Sequence, residues 1–471
     1  MSYINENGDT ELIVAIMENN IKLAYEIIKS GNSHPEIVNK HGDTALLLTI
    51  HYSMEDLGVK ILKSGNANPA HIDNHGNSAL IFSIKKNLPN ITNAIIDLYE
   101  IYNINHIDDH GDHALNASLR LGFYEIANKL ISNSNCNLSH IDEHGDTFLL
   151  IAIDKLGIFN FPIDEKYEKL NDQEKIEIIK KEEIFNKSKI EYENICKKLI
   201  LSCDIGHINK HNFTALLLSL CKDAYDIANL IVDSGHSRPE HINNTGDTAL
   251  LLSLDKNYYE ISKKLVEINN INNSIINDSG DTALILALSK NYQDIAYKLI
   301  EQDILNINVI SKNGDISLFL AINSGNEDLA LKIFDTGNSN YDYISNEPET
   351  SLNMAINNGM LILAKKIINI APLNILSFIN KENNTTLMLA ISKQFWEIAN
   401  LLIDKGYSIA YHVNNQNDTA LLLAMSAQAF DVVINLLTKT DCNKNHRNNY
   451  NITALHIAIY NNYHWLYEYL R

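Results

Sequence analysis

The sequence predicts an all-α repeat solenoid, curved and elongated, and three observations support this prediction. A short phrase of Gly or Asn, then Thr, then Ala and Leu recurs thirteen times, mostly at intervals of about 34 residues, a length typical of helical repeats. Each copy is followed by two apolar, helix-like segments and then by a polar stretch. A repeat of this length cannot bury its apolar face alone and must stack on its neighbours. We number the repeats 1–13 by their opening residues, which are Gly8, Gly42, Gly76, Gly111, Gly145, Asn212, Gly246, Gly280, Gly314, Pro348, Asn383, Asn417 and Asn451.

Each repeat begins with a short buried helix. In repeat 8, Thr282 follows Asp281 and precedes an unbroken apolar run, so its hydroxyl is expected to cap the helix. In eight of the repeats, Gly or Asn lies at a fixed distance after the opening, and both tolerate the left-handed backbone that ends a helix. These end positions are Asn19, Asn87, Gly122, Asn257, Asn291, Gly325, Gly359 and Asn462.

The second helix of each repeat is predicted to be amphipathic, with one apolar stripe. A further Gly follows it at one fixed position in several repeats, namely Gly31, Gly65, Gly235, Gly337 and Gly406. The polar stretch after this glycine, such as positions 66–76, is rich in Asn, Pro and His and predicts a turn or hairpin. One repeat is therefore helix, turn, helix and hairpin.

These motifs resemble the ankyrin repeat, whose marker is Thr-Pro-Leu-His-x-Ala. The last repeat comes nearest, with Thr453-Ala454-Leu455-His456-Ile457-Ala458. An Asp or Asn three positions before most openings matches the family's turn, with a shifted variant at Asp278 in repeat 8. Elsewhere the marker's Pro and His are replaced, which predicts the loss of an imidazole that the family uses between repeats.

Two further resemblances bear on the family. The Asn- and Ile-rich composition is similar to ankyrin proteins of giant DNA viruses of amoebae. The tetratricopeptide repeat shares the period, but its Trp and late Pro are missing here.

The resemblance implies a single ankyrin-repeat array over residues 1–471, with one interruption. Between Gly145 and Asn212 the spacing is almost twice the usual one, so a charged insert at 157–190 falls between the two helices of repeat 5. Its Glu- and Lys-rich sequence has apolar residues at near-helical intervals and predicts an extra helix or helical hairpin. The insert is either a tolerated surface insertion or a docking element.

The composition argues against several classes of function. A net charge of −20 argues against nucleic-acid binding, since that affinity depends on Lys and Arg. The five cysteines show no metal-site spacing, and their number and the absence of a leader-like start favour reduced thiols in a cytoplasmic or nuclear protein. No segment approaches the roughly 18 apolar residues that a membrane span needs. Catalytic and cofactor motifs are missing, so we expect neither an enzyme nor a cofactor.

Acidic residues directly follow most opening residues, and we call this slot the carboxylate position. Stacked repeats would align these residues beside the groove and finger tips where partners of ankyrin proteins commonly bind, and they would attract a basic partner. The alternative is that each Asp only helps to start its helix. The candidate binding residues in this slot are Asp43, Asp112, Asp146, Asp247, Asp281 and Asp315.

Histidines form a second recurring set. His75, His110 and His144, like His41, lie just before an opening glycine, and a second group lies five positions before an opening, at His71, His106, His140, His207 and His241. The His-x3-His pairs suggest a metal site, but no third ligand recurs with them, so packing between repeats or contact with a partner is favoured. His75, His110 and His144 therefore join the candidate protein-binding residues.

The resemblance implies a monomeric, non-catalytic scaffold that binds another protein along its concave groove and finger tips. Ankyrin specificity lies in scattered surface side chains, so the sequence does not identify the partner. The alternative function is a substrate-recognition adaptor for a ubiquitin ligase, which would use the insert as its docking element.

Overall fold

The computed structural model describes residues 4–98, 104–157, 172–268, 273–302, 306–345, 348–406 and 409–471. Within the helix that starts at Asp172, side chains are described at position 183 and from 185 onward. The chain divides into two compact halves, Met1–Asn244 and Thr245–Arg471, and each is treated by itself below. The single array over residues 1–471 remains a prediction.

Each half is a stack of helix pairs, which confirms the predicted all-α repeat solenoid. In the N-terminal half the first helices are Glu11–Met17, Ala45–His51, Ala79–Lys85, Ala114–Leu121, Phe148–Leu156 and Ala215–Cys221. Their second helices are Ile21–Ser30, Glu55–Lys63, Pro89–Leu98, Tyr124–Ile131, Asp172–Ile200 and Tyr225–Asp233.

The C-terminal half repeats the arrangement. Its first helices are Ala249–Asp255, Ala283–Ser289, Ser317–Asn323, Ser351–Asn357, Thr386–Ser392, Ala420–Ser426 and Ala454–Tyr460. The second helices are Tyr259–Val266, Gln293–Gln302, Glu327–Asp335, Leu361–Ile370, Trp396–Asp404 and Phe430–Lys439, and the last repeat ends in a 3-10 turn, His464–Leu466, and a short helix, Tyr467–Leu470. One extra short helix, Leu373–Leu376, follows the second helix of repeat 10.

Threonine caps the first helices, as predicted. The Thr282 hydroxyl accepts the backbone N–H of Ile285 at 3.2 Å, and Thr44 and Thr214 do the same in their repeats. In the helices that begin after Thr44, Thr248 and Thr282, the cap is the threonine and not the Asp before it. That these carboxylates help to start the helices by their charge stays a prediction. The predicted helix ends are also confirmed, because positive φ is found at Asn19, Asn87, Gly122, Asn257, Asn291, Gly325, Gly359 and Asn462.

The two helices of a repeat differ in burial. First helices such as Ala45–His51 are buried over almost their whole length, whereas second helices such as Glu55–Lys63 bury one stripe. Small residues let the pairs approach closely: a Cβ added to Gly58 would lie 2.5 Å from Ile91 Cδ1. This packing places the core between helix layers and leaves the hairpins projecting from it.

The polar stretches are hairpins, as predicted. In several repeats an isolated antiparallel bridge joins the residue four before the opening to the helix cap, at Ile4–Thr10, Ile72–Ser78, Ile107–His113, Ile141–Thr147, Ile310–Ile316, Ile344–Thr350, Ile379–Thr385 and Val413–Thr419. The opening residue lies at the tip with positive φ, which is +78° at Gly145. A Cβ added there would lie 3.0 Å from the backbone nitrogen of Lys210 in the next repeat, so glycine also permits close stacking of the tips.

The insert continues the second helix of repeat 5. Asp172–Ile200 is one helix of 29 residues, in which the insert runs directly into the repeat's own segment from Tyr192. The predicted extra helix is therefore an extension of an existing one in the part that is described. The remainder of the predicted insert, 158–171, lies outside the described residues. Among the described helices, none is both long and apolar enough to span a membrane.

Candidate protein-binding surface

The hairpin tip is organised by the residue three before the opening, which we call the turn residue. In repeat 6 the Asn209 side-chain oxygen accepts the backbone N–H groups of His211 and Phe213 at 3.1 and 2.9 Å. The same pair of bonds is made by turn residues of other repeats, including Asp73 and Asp142. An Asn or Asp oxygen suits this place because it accepts two N–H groups while the opening residue is left-handed.

The turn residue of repeat 8 corrects one assignment. Asn277 Oδ1 accepts the backbone N–H groups of Ser279 and Asp281, both at 3.0 Å. The shifted assignment of this turn to Asp278 is therefore wrong, and repeat 8 keeps the register of the other repeats.

Where the turn residue is Asn, its amide also joins two repeats. The Nδ2 group donates to the carboxylate position of the preceding repeat, and we call this contact between consecutive tips a joint. Among the described residues, joints of this form are Asn39 to Asp9 at 2.9 Å, Asn209 to Asp146 at 2.7 Å, Asn277 to Asp247 at 3.2 Å, Asn414 to Asn384 at 3.1 Å and Asn448 to Asp418 at 2.8 Å. Asp146 and Asp247 are therefore engaged in holding repeats together.

Where the turn residue is Asp, a basic side chain from the first helix of the preceding repeat can pair with it instead. Lys85 Nζ lies 2.6 Å from Asp108 and 2.8 Å from Asp112, and Arg120 pairs with Asp142. Burial alone would raise the pKa of Asp108, but its bond to Lys85 holds this pKa below the ordinary value. Asp112 is thus also engaged within the protein.

Three carboxylates have no such partner. Asp43, Asp281 and Asp315 form no side-chain hydrogen bond or ion pair among the residues that the structure describes. Burial raises the pKa of Asp43, and the nearby charge of Asp73 raises it further. Burial likewise raises the pKa of Asp281, followed by the charges of Asp315 and Asp255. These carboxylates would be stabilised by a positive charge from outside.

The histidines five positions before each opening fasten one hairpin to the previous one. His71 Nε2 lies 2.8 Å from the carbonyl of Gly42, and since a carbonyl only accepts, the ring must donate from Nε2. The marker histidine is replaced in most repeats, but an imidazole between repeats is not lost, because the histidine five positions before the opening supplies one. The sequence reasoning missed two members of this set, His412 and His446. The preceding opening carbonyl is bonded in the same way, at 2.7–3.2 Å, by His106, His207, His241, His412 and His446.

His140 departs from this pattern. Its ring stacks on His113 with centroids 5.6 Å apart and contacts Phe148, and its buried Nε2 has no partner among the described residues. His113 replaces the threonine cap of repeat 4, and its Nδ1 accepts the N–H of Leu115 at 3.0 Å. Burial and the neighbouring His140 and His106 lower the pKa of His113 to about 4, so the cap is neutral at physiological pH.

The tip histidines are exposed. His75, His110 and His144 donate their backbone N–H groups to a turn aspartate, which leaves each ring at the surface. His144 also has an acidic neighbour, with Nε2 3.6 Å from Glu143. In the described parts of the chain, no group of three or more His, Cys, Asp or Glu side chains could hold a metal ion. The binding role of these histidines therefore stays a prediction.

In each half, an exposed aliphatic stripe lies on the hairpins and was missed by the sequence reasoning. The residue four before the opening is Ile or Val in nearly every repeat. In most repeats this apolar side chain is exposed to solvent; Ile107 and Ile276 are 45% and 47% exposed. The other exposed members are Ile4, Val38, Ile72, Ile141, Ile242, Ile310, Ile344 and Ile379. The signal was in the sequence, since Ile recurs there at the repeat period.

Comparison with solved structures finds similar folds among ankyrin repeat proteins. The ankyrin repeat domain of Bcl-3, a member of the IkappaB protein family, is 16% identical, with a TM-score of 0.38, and the match covers 55% of this chain and 99% of that one. An ankyrin repeat domain from Acinetobacter baumannii is 18% identical, with a TM-score of 0.36, covering 48% and 97%. A further ankyrin repeat protein, EF0377, is 15% identical, with a TM-score of 0.35, covering 49% and 98%. No protein-family profile and no curated protein sequence matches the chain.

Proposed function

We propose that this protein is a non-catalytic, ankyrin-like scaffold that holds a partner protein against its hairpins and the adjoining first helices. The observation that supports this most strongly is the exposed aliphatic stripe on the hairpins. Ile107 and Ile276 gain little from folding in that position, since they remain largely in water. A bound partner would bury them.

The partner that fits this surface carries basic side chains among apolar ones. Asp43 lies on the hairpin face of the N-terminal half, and Asp281 and Asp315 lie on that of the C-terminal half, all without an ion-pair partner among the described residues. A lysine or arginine from the partner would pair with these carboxylates, and at Asp43 and Asp281 it would offset the cost of burying the charge. The chain's net charge of −20 would also speed the encounter with such a partner.

The remaining candidate residues divide by role. Asp146 and Asp247 accept joint amides, and Asp112 pairs with Lys85 of the preceding repeat. All three are proposed to shape the surface, since their oxygens are already engaged between repeats. The tip histidines are proposed as contact residues because their rings are exposed; they are His75, His110 and His144. The adaptor role through the insert at 157–190 remains a prediction.

Cross-linking mass spectrometry of the tagged chain in its native cell tests the proposal. Replacing Asp43, Asp281 and Asp315 together by Asn should reduce partner recovery about tenfold or more, since each desolvated carboxylate contributes on the order of 1 kcal/mol.

The matched control replaces three acidic residues exposed on second helices, Asp56, Glu125 and Asp328, by their amides. This variant carries the same charge change away from the hairpin face and should recover the partner like the wild type. Equal recovery with the two triple variants, or cross-links confined to the second helices, would contradict the proposed surface.

A further inference from the structure

A cavity between the first two repeats lies away from the hairpin tips, next to the second helices. It has a volume of about 530 Å³ and is lined by Lys29, Lys60 and Lys63 together with Tyr25 and His34. A cavity with three lysines and a single carboxylate is unexpected in a chain with a net charge of −20. The equivalent positions in other repeats show what is different here.

At four other places in the described part of the chain, the second helices of consecutive repeats are joined by an ion pair at the same two positions. In each pair, a lysine in one second helix meets an acidic residue near the end of the preceding second helix, and both occupy fixed positions relative to their openings. The pairs are Lys129–Asp97 at 3.0 Å, Lys298–Glu267 at 3.2 Å, Lys332–Glu301 at 2.6 Å and Lys366–Asp335 at 2.7 Å. Each pair links a cation to an anion across the groove between two helices.

In repeats 1 and 2 the same two positions both hold lysine. Lys60 lies as far after its opening residue, Gly42, as the lysines of these four pairs lie after theirs. Lys29 lies in repeat 1 at the position that holds the acidic residue in these pairs. Lys63 adds a third positive charge from the next turn of the helix Glu55–Lys63. Among the described residues, none of these three lysines forms an ion pair. Like charges at this position repel each other, so the site lacks the anion that its counterparts contain.

We infer that this cavity binds a small organic polyphosphate, whose negative charge takes the place of the missing carboxylate. The three lysine ammonium groups carry enough positive charge to bind more than one phosphoryl group. The volume lies within the range of small-molecule sites and exceeds what a single phosphate fills. Tyr25, Ile28 and Pro35 provide an apolar wall for an organic group. Glu36 is the one carboxylate among the described residues of the lining, and its oxygen lies 3.2 Å from His34 Nδ1.

Isothermal titration of the full chain tests this assignment. Tripolyphosphate and magnesium-free ATP should each bind once per chain, and inorganic phosphate and adenosine should bind much more weakly. Lys29→Glu restores the charge pattern of the other repeats, so it should weaken both polyphosphates at least about tenfold. It should also raise the unfolding temperature of the unliganded protein. Lys22→Glu makes the same charge change on the same helix outside the cavity and should bind like the wild type.

Several results would overturn the assignment. These are no saturable binding of tripolyphosphate or ATP, equal binding of inorganic phosphate or adenosine, and equal losses with Lys29→Glu and Lys22→Glu. If Lys29→Glu does not fold, Lys60→Gln provides the same comparison and must weaken binding. Lys29 lies on a second helix, and none of the carboxylates or tip histidines of the proposed binding surface lines the cavity. Partner recovery by the scaffold should therefore be unaffected by Lys29→Glu, and the two proposals can fail separately.

Discussion

The joints on either side of repeat 2 have the same backbone and differ in one residue type. Between repeats 1 and 2, the Asn39 amide donates to the Asp9 carboxylate at 2.9 Å, and both residues are almost fully buried. Between repeats 2 and 3, Asp73 occupies the place of Asn39 and faces Asp43, whose pKa is raised by burial and then by Asp73. The side-chain amide at the turn position therefore decides whether the carboxylate of the preceding repeat is hydrogen-bonded within the protein or is left without a partner.

This difference shows how a repeat array can use some carboxylates to stabilise the fold and leave others available for binding, although the hairpin backbone is the same. An Asn at the turn supplies a donor and closes the joint, as at Asp146 and Asp247. A Ser at the turn cannot reach across, and Asp281, which precedes Ser311, is left without a partner among the described side chains. Where the turn residue is Asp, a cation from the preceding repeat can hold it instead, as Lys85 holds Asp108.

The largest expected effect comes from opening a closed joint. Asn39→Asp replaces a buried donor with a second carboxylate beside Asp9, and we expect a loss of about 3 kcal/mol at pH 7. Urea unfolding followed by circular dichroism measures this loss. It should shrink at pH 4, where one of the paired carboxyls becomes protonated.

The control for this variant is Asn32→Asp, which makes the same chemical change on an exposed loop of the same repeat. It should change the unfolding free energy by less than about 0.5 kcal/mol. Equal losses from Asn32→Asp and Asn39→Asp would show that general negative charge, and not the joint, is responsible.

The helix cap of repeat 4, which packs against the next hairpin, should respond to pH. The pKa of His113 is about 4 in the folded protein and near its ordinary 6.5 when unfolded, so the unfolded chain binds the proton more readily. Stability is complete above pH 6.5 and is lost as the pH falls toward 4, by up to about 3 kcal/mol. His113→Thr restores the cap used by other repeats and should remove this part of the pH dependence. Unfolding free energies measured at steps from pH 7 to pH 4 test it.

The matched control for the histidine is His110→Asn, which removes an exposed imidazole from the tip of the same repeat. It should leave the slope of stability against pH near the wild-type value. A slope unchanged in His113→Thr would contradict the assignment of His113 as a buried neutral cap.

A smaller effect is expected from closing the open joint. Asp73→Asn gives Asp43 a donor and removes a like charge, so the raised pKa of Asp43 should fall and stability at pH 7 should rise by about 1 kcal/mol. Because a raised aspartate pKa disfavours folding only where the group is ionised, the gain should vanish below about pH 4. Carbon-detected NMR titration of Asp43 and urea unfolding check both statements. An unchanged titration midpoint would contradict the proximity of these carboxyls.

Much of the fold followed from the sequence because the repeat period, the Thr caps and the left-handed Gly and Asn positions are local signals. Thr282, Asn291 and Gly65 each behave as predicted because their roles depend on backbone conformation within one repeat. The relations between repeats were harder to predict. The inter-repeat role of His71 and the exposure of Ile107 depend on which atoms of the next hairpin come within reach.

The carboxylate position shows the same limit. Asp146 and Asp281 occupy the same slot and look equivalent in the sequence, yet one accepts a bond from Asn209 and the other has no such donor among the described residues. The deciding residue lies in the following repeat, so no local pattern reveals it. Pairing each turn residue with the carboxylate position of the preceding repeat would have revealed which carboxylates have an amide donor.

A double-mutant cycle tests the central claim most directly, because it asks whether the residue facing a carboxylate decides the state of a joint. Met17 occupies in repeat 1 the position that Lys85 occupies in repeat 3. Met17→Lys should therefore recover about 1–2 kcal/mol of the stability lost in Asn39→Asp and should have little effect in the wild-type background. Unfolding free energies that are simply additive across the cycle would contradict the account.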